Sequence, residues 1–162
     1  MPVHAQQVLA EFTPALARLV ASYERDPALR EELLQEVLMA IVLSLPRLAQ
    51  ADKLKPFVFR IAHNRSVSHI ARRVRERAEQ ETGESADHSA PSQEEVLLQS
   101  EHGHRLLEAI RQLALPFRQV MTLLLEDMSY EDIAETLGIS VSNVGVRVNR
   151  AKKQLKEMLQ HE

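Results

Sequence analysis

Five basic side chains stand between residues 147 and 156 of this 162-residue chain, and no acidic residue interrupts them. Arginine bonds the edge of a guanine through two parallel hydrogen bonds, and lysine mostly contacts phosphate. At about 100° per residue, an apolar stripe falls opposite the polar residues of this stretch, and it consists of Val144, Val148, Ala151 and Leu155. The side chains placed to contact DNA are Ser142, Asn143, Val146, Arg147, Arg150 and Lys153. The stretch therefore predicts an amphipathic helix with a DNA-contacting face, the alternative being a solvated charged face.

A second, shorter helix is predicted directly before this one. Ser129 can cap its start, with Asp132 three residues further on. Gly138 suits the left-handed residue that ends such a helix, and Ser140 or Ser142 can cap the helix that follows. Helix, tight turn and helix together predict a helix-turn-helix, whose second helix lies in the major groove of DNA. An ordinary helical hairpin is the alternative.

The composition favours helices and excludes several classes of site. Aromatic residues make up 4% of the chain and there are four glycines, which favours helices over sheets. The absence of cysteine excludes disulfides and thiolate metal sites. His102 and His104 have no further ligand at a useful spacing, and no nucleophile triad or phosphate-binding loop is present. We expect no metal, no cofactor and no catalytic centre, so the chain is not expected to be an enzyme.

No apolar run approaches the roughly 20 residues of a membrane span, and the first residues lack the pattern of a signal peptide. A cytoplasmic protein without direct membrane insertion is therefore expected.

The formal net charge of −3 conceals a segregation of charge along the chain. Eight basic residues lie between Lys53 and Arg77, and seven acidic residues lie between Glu79 and Glu101 without any lysine or arginine. Residues 79–93 are almost devoid of apolar side chains, which favours a flexible acidic linker. We therefore expect an all-α protein of two small helical domains, residues 1–78 and 94–162, joined by this linker, with the helix-turn-helix in the second domain.

The first domain is predicted to contain three helices. The first spans about residues 4–22, and the second starts after Asp26 and Pro27, a cap followed by a proline at the first helical position. The third follows Pro56 and runs through Phe57, Ile61, Val67 and Ile70 into the arginine cluster. In the second domain we expect helices near residues 94–113 and after Pro116, before the helix-turn-helix.

Several short runs resemble a known family. The run ELLQEVL of residues 32–38 is similar to DLVQEVF, LPRL of residues 45–48 to LPRF, and FVFRIAHN of residues 57–64 to WLYRIARN, all from region two of bacterial sigma factors. The runs LPFRQV (115–120) and SYEDIAETLGIS (129–140) resemble region four. The motifs follow the family order over nearly the whole chain, and the lack of other sigma regions implies the extracytoplasmic-function (group IV) sigma factors.

This resemblance implies partners and site residues. It implies a factor that binds core RNA polymerase, through the clamp helices of the largest subunit and the flap of the second largest, and that directs initiation at promoters. The face implied for core binding consists of Glu32, Gln35, Glu36, Met39 and Leu43. The residues implied for the −10 element are Lys53, Lys55, Arg60, His63, Asn64, Arg72 and Arg73. The −35 element is implied to contact the six DNA-contacting residues of the helix-turn-helix. An anti-sigma factor is also implied.

The chain departs from the family pattern at a few positions. Phe57 and Ser68 replace the usual tryptophan and a frequent aspartate, and Gly145 and Val146 replace a common Lys-Ser pair. Gly145 is expected to weaken its helix by roughly 1 kcal/mol relative to alanine and to remove a DNA contact, whereas Val146 can meet a thymine methyl group.

Two other functions remain open from the sequence. A free-standing helix-turn-helix regulator that binds an operator as a dimer explains the second domain alone. A helical interaction protein that uses only the first domain would not need Arg147 or Arg150.

Overall fold

The computed structural model describes residues 4–80 and 101–160, and all regular structure in these residues is helical. The first domain holds α1 (Ala5–Tyr23), α2 (Pro27–Ser44), two short 3₁₀ turns (Leu45–Arg47 and Ala51–Lys53) and α3 (Leu54–Glu79). The second domain holds α4 (Glu101–Gln112), α5 (Leu115–Leu124), α6 (Tyr130–Leu137) and α7 (Val141–Gln160). The expected all-helical fold is confirmed for the described residues. The expected linker, except its first two residues, and the start of a helix near residue 94 lie outside them.

The three long helices of the first domain enclose an apolar core. Asp26 caps α2 by accepting hydrogen bonds from the backbone N–H groups of Ala28 (2.9 Å) and Leu29 (3.4 Å), and Pro27 fills the first helical position. Phe12 of α1 meets Phe59 of α3 edge to face, with ring centroids 6.1 Å apart. These contacts fix α3 against the other two helices.

The buried side of α3 includes two polar residues, Ser66 and His69. The helix begins at Leu54, so Pro56 lies in its first turn, and its buried residues are Pro56, Val58, Phe59, Ala62, Ser66 and His69. The apolar residues through which the helix was predicted to run, Phe57, Ile61, Val67 and Ile70, are only partly buried.

The second domain packs α4 and α5 against α7, with α6 completing the helix-turn-helix. Its core includes Ile110, Leu113, Val120 and Leu123 from the first two helices. Helix α5 begins at Leu115, so Pro116 lies inside its first turn and not before the helix. Pro56 likewise lies inside the first turn of α3.

The two domains pack directly against each other, which the sequence did not predict. Helix α1 contacts α4 and α5, and α3 contacts α6. The buried apolar residues of both domains form one connected cluster. Ionic contacts surround it: Arg18 bonds both carboxylate oxygens of Glu126 at 2.9 and 2.8 Å, and Arg25 pairs with Glu108.

Candidate nucleic-acid and polymerase interfaces

The helix-turn-helix has the local geometry that its residues predict. Ser129 accepts a hydrogen bond from the N–H of Asp132 at 3.1 Å and thereby caps α6. Gly138 ends α6 in the left-handed conformation, with φ of 71°. Of the two serines considered for the next cap, Ser140 serves, because its Oγ accepts from the N–H of Asn143 at 3.0 Å. The turn therefore fixes the angle at which α7 leaves α6.

The recognition helix α7 separates its faces as predicted. Val144, Val148 and Ala151 have no exposed surface, and Leu155 is 6% exposed. The candidate −35 residues fall within about 140° on the other side of the helix. Ser142, Asn143, Val146, Arg150 and Lys153 are exposed, whereas Arg147 is half-buried. No acidic residue occurs from residue 136 to residue 156, so every charge in the stretch that holds the candidate −35 residues is basic; Glu157 follows on the same arc, near the end of the helix.

Gly145 lies beside the preceding helix rather than in the DNA-facing arc. A Cβ atom built there would stand 3.7 Å from Cε2 of Tyr130 on α6, which is ordinary van der Waals contact. We therefore attribute to Gly145 a local effect on helix stability, in place of the lost DNA contact that the sequence suggested.

The first half of α3 gathers part of the candidate −10 set. Lys53, Phe57 and Arg60 line one cleft of about 220 Å³, together with Leu48, Ala49, Gln50 and Pro56. Asn64 is exposed one turn beyond Arg60. A basic path with an aromatic ring and an amide side chain can hold a single-stranded backbone and one unstacked base.

His63 adds a neutral group to this region. Its side chain is partly buried, and the loss of hydration lowers its pKa to about 4. At neutral pH the ring is therefore uncharged, so His63 can exchange hydrogen bonds with a base but contributes no positive charge toward phosphate.

Three further candidates for the −10 element lie apart or are engaged within the protein. Arg72 lies about 18 Å along the helix from Arg60 and bonds Glu36 of α2 at 3.1 Å. Arg73 donates from Nε to Glu24 at 3.0 Å. Lys55 is partly buried near the start of the helix and donates to the backbone carbonyl of Glu126. The structure thus brings together Lys53, Arg60, His63 and Asn64 and leaves the two arginines as a separate group.

The candidate polymerase-binding residues form one strip along α2. Glu32, Gln35, Glu36, Met39 and Leu43 fall within about 100° around the helix. Met39 and Leu43 are 61% and 70% exposed, which is unusual for large apolar side chains in a stable helix. Glu36 also bonds Arg65 of α3 at 3.5 Å. The strip is therefore polar toward the start of α2 and apolar toward its end, and a surface that joins exposed apolar side chains to polar ones is suited to binding a protein.

A buried polar cluster at Glu24 was missed at the sequence level. Glu24 is 6% exposed, and its carboxylate contacts Nε2 of His69 at 2.7 Å, Nε of Arg73 and the N–H of Asp26. Burial alone would raise the pKa of Glu24, but the hydrogen bonds from His69 and Asp26 and the charge of Arg73 hold it below its usual range. The only sequence signal was a polar pair at core spacing, Ser66 and His69, within an otherwise apolar side of α3.

Metal-binding clusters and membrane-spanning helices are both absent from the described residues. No group of three or more histidine, aspartate or glutamate side chains is placed to hold a metal ion in residues 4–80 and 101–160. None of the helices described for this chain is both long and apolar enough to cross a membrane.

Comparisons with known proteins match both halves of the chain. The family model for sigma-70 region 2 matches residues 8–76, and the model for sigma-70 region 4 matches residues 103–155. The RNA polymerase sigma factor SigZ of Bacillus subtilis is 26% identical over 93% of this chain and 84% of its own length. The RNA polymerase sigma factor CarQ of Myxococcus xanthus is 27% identical over 95% of this chain and 88% of its own length.

A solved structure agrees with these matches over both domains. The sigma factor RpoE of Bartonella quintana, solved in complex with the anti-sigma factor NepR, superposes with a TM-score of 0.80 at 25% identity, covering 96% of each chain. The two matched regions, their order and the geometry of the helix-turn-helix lead to one assignment. The chain belongs to the extracytoplasmic-function sigma factors, which bind core RNA polymerase and direct promoter-specific initiation of transcription.

Proposed function

We propose that this sigma factor binds the clamp helices of the largest polymerase subunit through the strip on α2. The supporting observation is the exposure of Met39 and Leu43 on the same helix face as acidic and amide side chains. Large apolar side chains that become buried on binding supply much of the binding free energy in protein interfaces. The second domain is assigned to the flap of the second-largest subunit by family resemblance alone.

A competition experiment tests the strip. The double variant Met39→Ala, Leu43→Ala should weaken binding to core polymerase about tenfold, since truncating central apolar contacts costs more than 1 kcal/mol. Val74, an exposed apolar residue of α3 (60% exposed), supplies the control Val74→Ala. Equal affinity of the double variant and wild type for core polymerase would refute the assignment of this face.

We infer that Ser142, Asn143, Val146, Arg147, Arg150 and Lys153 contact the −35 element. They share one exposed arc of α7 in a stretch without acidic residues. The arginines are the bidentate donors suited to guanine, and Lys153 suits phosphate. The apolar Val146, 43% exposed, fits the methyl group of a thymine.

The −10 element is assigned to the first half of α3. Lys53, Lys55 and Arg60 supply the basic path, and His63 and Asn64 supply hydrogen bonds to an unstacked base. Arg72 and Arg73 are assigned to duplex phosphates at the far end of α3. With these roles, residues 1–78 form the polymerase and −10 domain, residues 94–162 form the −35 domain, and residues 79–93 link them.

Run-off transcription tests the function as a whole. Holoenzyme assembled from this chain and core polymerase should select promoters from a randomised library, and run-off from the selected templates should start at one defined site. Core polymerase alone is the control. A free-standing dimeric regulator would instead bind its operator tightly without polymerase and yield no start-specific transcript.

We further infer an anti-sigma partner, since RpoE, whose chain superposes on this one, was solved with such a protein. The protein encoded beside this gene is the first candidate, and it should displace core polymerase from the sigma factor in a competition assay. Because polymerase performs the chemistry, the chain itself is assigned no enzymatic activity. It acts where polymerase and the chromosome are, in the cytoplasm.

A further inference from the structure

The second domain lies against the end of α3 that carries the proposed −10 residues. Nζ of Lys53 is 3.2 Å from Oε2 of Glu135 on α6. Nζ of Lys55 donates to the backbone carbonyl of Glu126 at 2.8 Å. The cleft beside Arg60 has Glu135 and Thr136 as its opposite wall. Three of the cations assigned to the −10 strand therefore face oxygen atoms or side chains of the second domain.

The other ion pairs across the domain interface have the same polarity. Arg18 and Arg25 of the first domain pair with Glu126 and Glu108 of the second. The pair at Glu126 is bidentate, and its carboxylate is only 10% exposed, whereas the side chain of Arg18 is 61% exposed. In these ion pairs the first domain supplies the cations and the second supplies the anions, as a phosphate backbone would. Two arginines of the second domain also cross the interface, but they contact uncharged groups: Arg111 donates to the backbone carbonyl of Ala21, and Arg118 stacks on Tyr23.

Other features indicate an interface that can separate. The guanidinium of Arg118 stacks on the ring of Tyr23 at 5.7 Å, and burial raises the pKa of Tyr23 to about 12. A second cleft of about 170 Å³ lies between α1 and the helices α4 and α5. Ion pairs and clefts thus border the apolar contact between the two domains, and polar borders of this kind are typical of domain interfaces that can separate. Exposed ion pairs are individually weak and are screened by salt.

The recognition helix is not covered in the same way. Ser142, Asn143, Val146 and Arg150 of α7 are exposed. The domain arrangement therefore affects the two proposed DNA-reading surfaces unequally.

We propose that Glu135 and Glu126 hold the second domain over the −10 surface as an intramolecular cover that imitates DNA phosphate. Glu135 does so through its carboxylate at Lys53, and Glu126 through its carboxylate at Arg18 and its backbone carbonyl at Lys55. In the free protein the −35 helix is then available, whereas single-stranded −10 DNA competes with the acidic groups of the second domain. The inference rests on the proposed −10 assignment. It adds that the surface must be uncovered before it can bind DNA, and that the cover is part of the chain itself.

The test uses the full-length protein and a charge-matched pair of variants. Glu135→Gln removes the charge that contacts Lys53, and Glu126→Gln removes the charge that holds Arg18, while the backbone carbonyl at Lys55 is unchanged. Glu131→Gln with Glu101→Gln changes the net charge equally at exposed residues of the same domain that lie outside α7. The probes are fluorescent 20-nucleotide DNAs of random sequence, one single-stranded and one duplex, measured by anisotropy at low and at physiological salt.

The variant that carries Glu126→Gln and Glu135→Gln, the cover variant, should bind single-stranded DNA about three- to tenfold more tightly than the control variant. A change of this size corresponds to the loss of one or two ion pairs. Duplex affinity should be the same in both. The gain should disappear when Lys53→Ala is added, and should shrink at high salt. An equal affinity of both variants for single-stranded DNA, or a gain that persists without Lys53, would overturn the proposal.

Opening is measured without DNA. The chain has no tryptophan and two tyrosines, so in a Tyr130→Phe background Tyr23 is the remaining tyrosine. Because Arg118 of the second domain covers its ring, acrylamide should quench Tyr23 more strongly in the cover variant than in the control. Unchanged quenching with an unchanged far-UV spectrum would refute the proposed cover. This measurement involves neither polymerase nor DNA. Failure of the cover proposal can therefore be distinguished from failure of the promoter assignment, which run-off transcription tests separately.

Discussion

The two glycines of the helix-turn-helix should respond in opposite ways to replacement by alanine. Gly145 lies inside α7 with helical backbone geometry, and an added Cβ would make an ordinary contact, 3.7 Å from Tyr130. Glycine in a helix interior costs roughly 0.5–1 kcal/mol relative to alanine, mainly through the entropy of the unfolded chain. We therefore expect Gly145→Ala to raise the free energy of unfolding by about that amount.

Gly138 is the matched control because the obstacle there is the backbone alone. No atom lies within 4 Å of a Cβ built at Gly138, but its φ of 71° is left-handed. A non-glycine residue in this conformation costs roughly 1–2 kcal/mol. Gly138→Ala should therefore destabilise the protein, and the two variants should differ by about 1.5–3 kcal/mol.

Urea denaturation followed by circular dichroism at 222 nm measures both variants. In a chain of this size, 1 kcal/mol corresponds to roughly 2–4 °C in Tm, so thermal scans provide a second reading. Gly145→Ala should leave −35 affinity unchanged, since position 145 faces α6. If Gly145→Ala proves less stable than wild type, the reasoning from helix propensity and available space is wrong.

The remaining predictions concern recognition and pH. Arg147→Ala should weaken binding to the −35 element by about 1–3 kcal/mol and alter the base preference there. The control is Lys152→Ala, which removes the same charge outside the DNA-facing arc. An equal loss of affinity for all sequences would make Arg147 a phosphate contact. Because the folded pKa of His63 is lowered from 6.5 to about 4, stability should fall by up to about 3 kcal/mol as pH drops through that interval; His63→Gln should remove this dependence in denaturation curves. The lowered pKa of Glu24 contributes stability above the usual carboxyl value of 4.5 that is lost as pH falls through the folded value. Glu24→Gln should cost about 1–3 kcal/mol at pH 7 and flatten the acid side of the profile.

Local rules predicted the helix-turn-helix well because its determinants are close in sequence. A capping serine, a left-handed glycine and an apolar stripe act within a few residues of one another, and all three appear in the structure. The cap of α2 at Asp26 follows the same logic. Such features need no knowledge of the rest of the chain.

The polar residues inside α3 could not be predicted, because the partner of His69 is distant in sequence. Ser66 and His69 both occupy buried positions. His69 is accommodated by a carboxylate 45 residues earlier, Glu24, at the end of α1. Most buried polar groups in proteins have such a partner, and nothing near His69 in the sequence identifies it. The buried Oγ of Ser66 has no hydrogen-bond partner among the described residues.

The same argument explains why the domain interface was not foreseen. Arg18 and Glu126 are separated by 108 residues and Lys53 and Glu135 by 82, and each looks like an ordinary surface charge in its local context. The segregation of charge along the chain was visible, and it was interpreted as two DNA-binding modules and an acidic linker. In the structure, acidic side chains of the second domain itself also meet the basic surface of the first. A basic surface that binds phosphate also attracts suitably spaced carboxylates on the same chain. A protein with two such surfaces and an overall charge of −3 must therefore either keep its acidic residues away from a DNA-binding surface or use them to cover that surface. No acid lies among the candidate −35 residues of α7, whereas Lys53, directly before α3, is in contact with one.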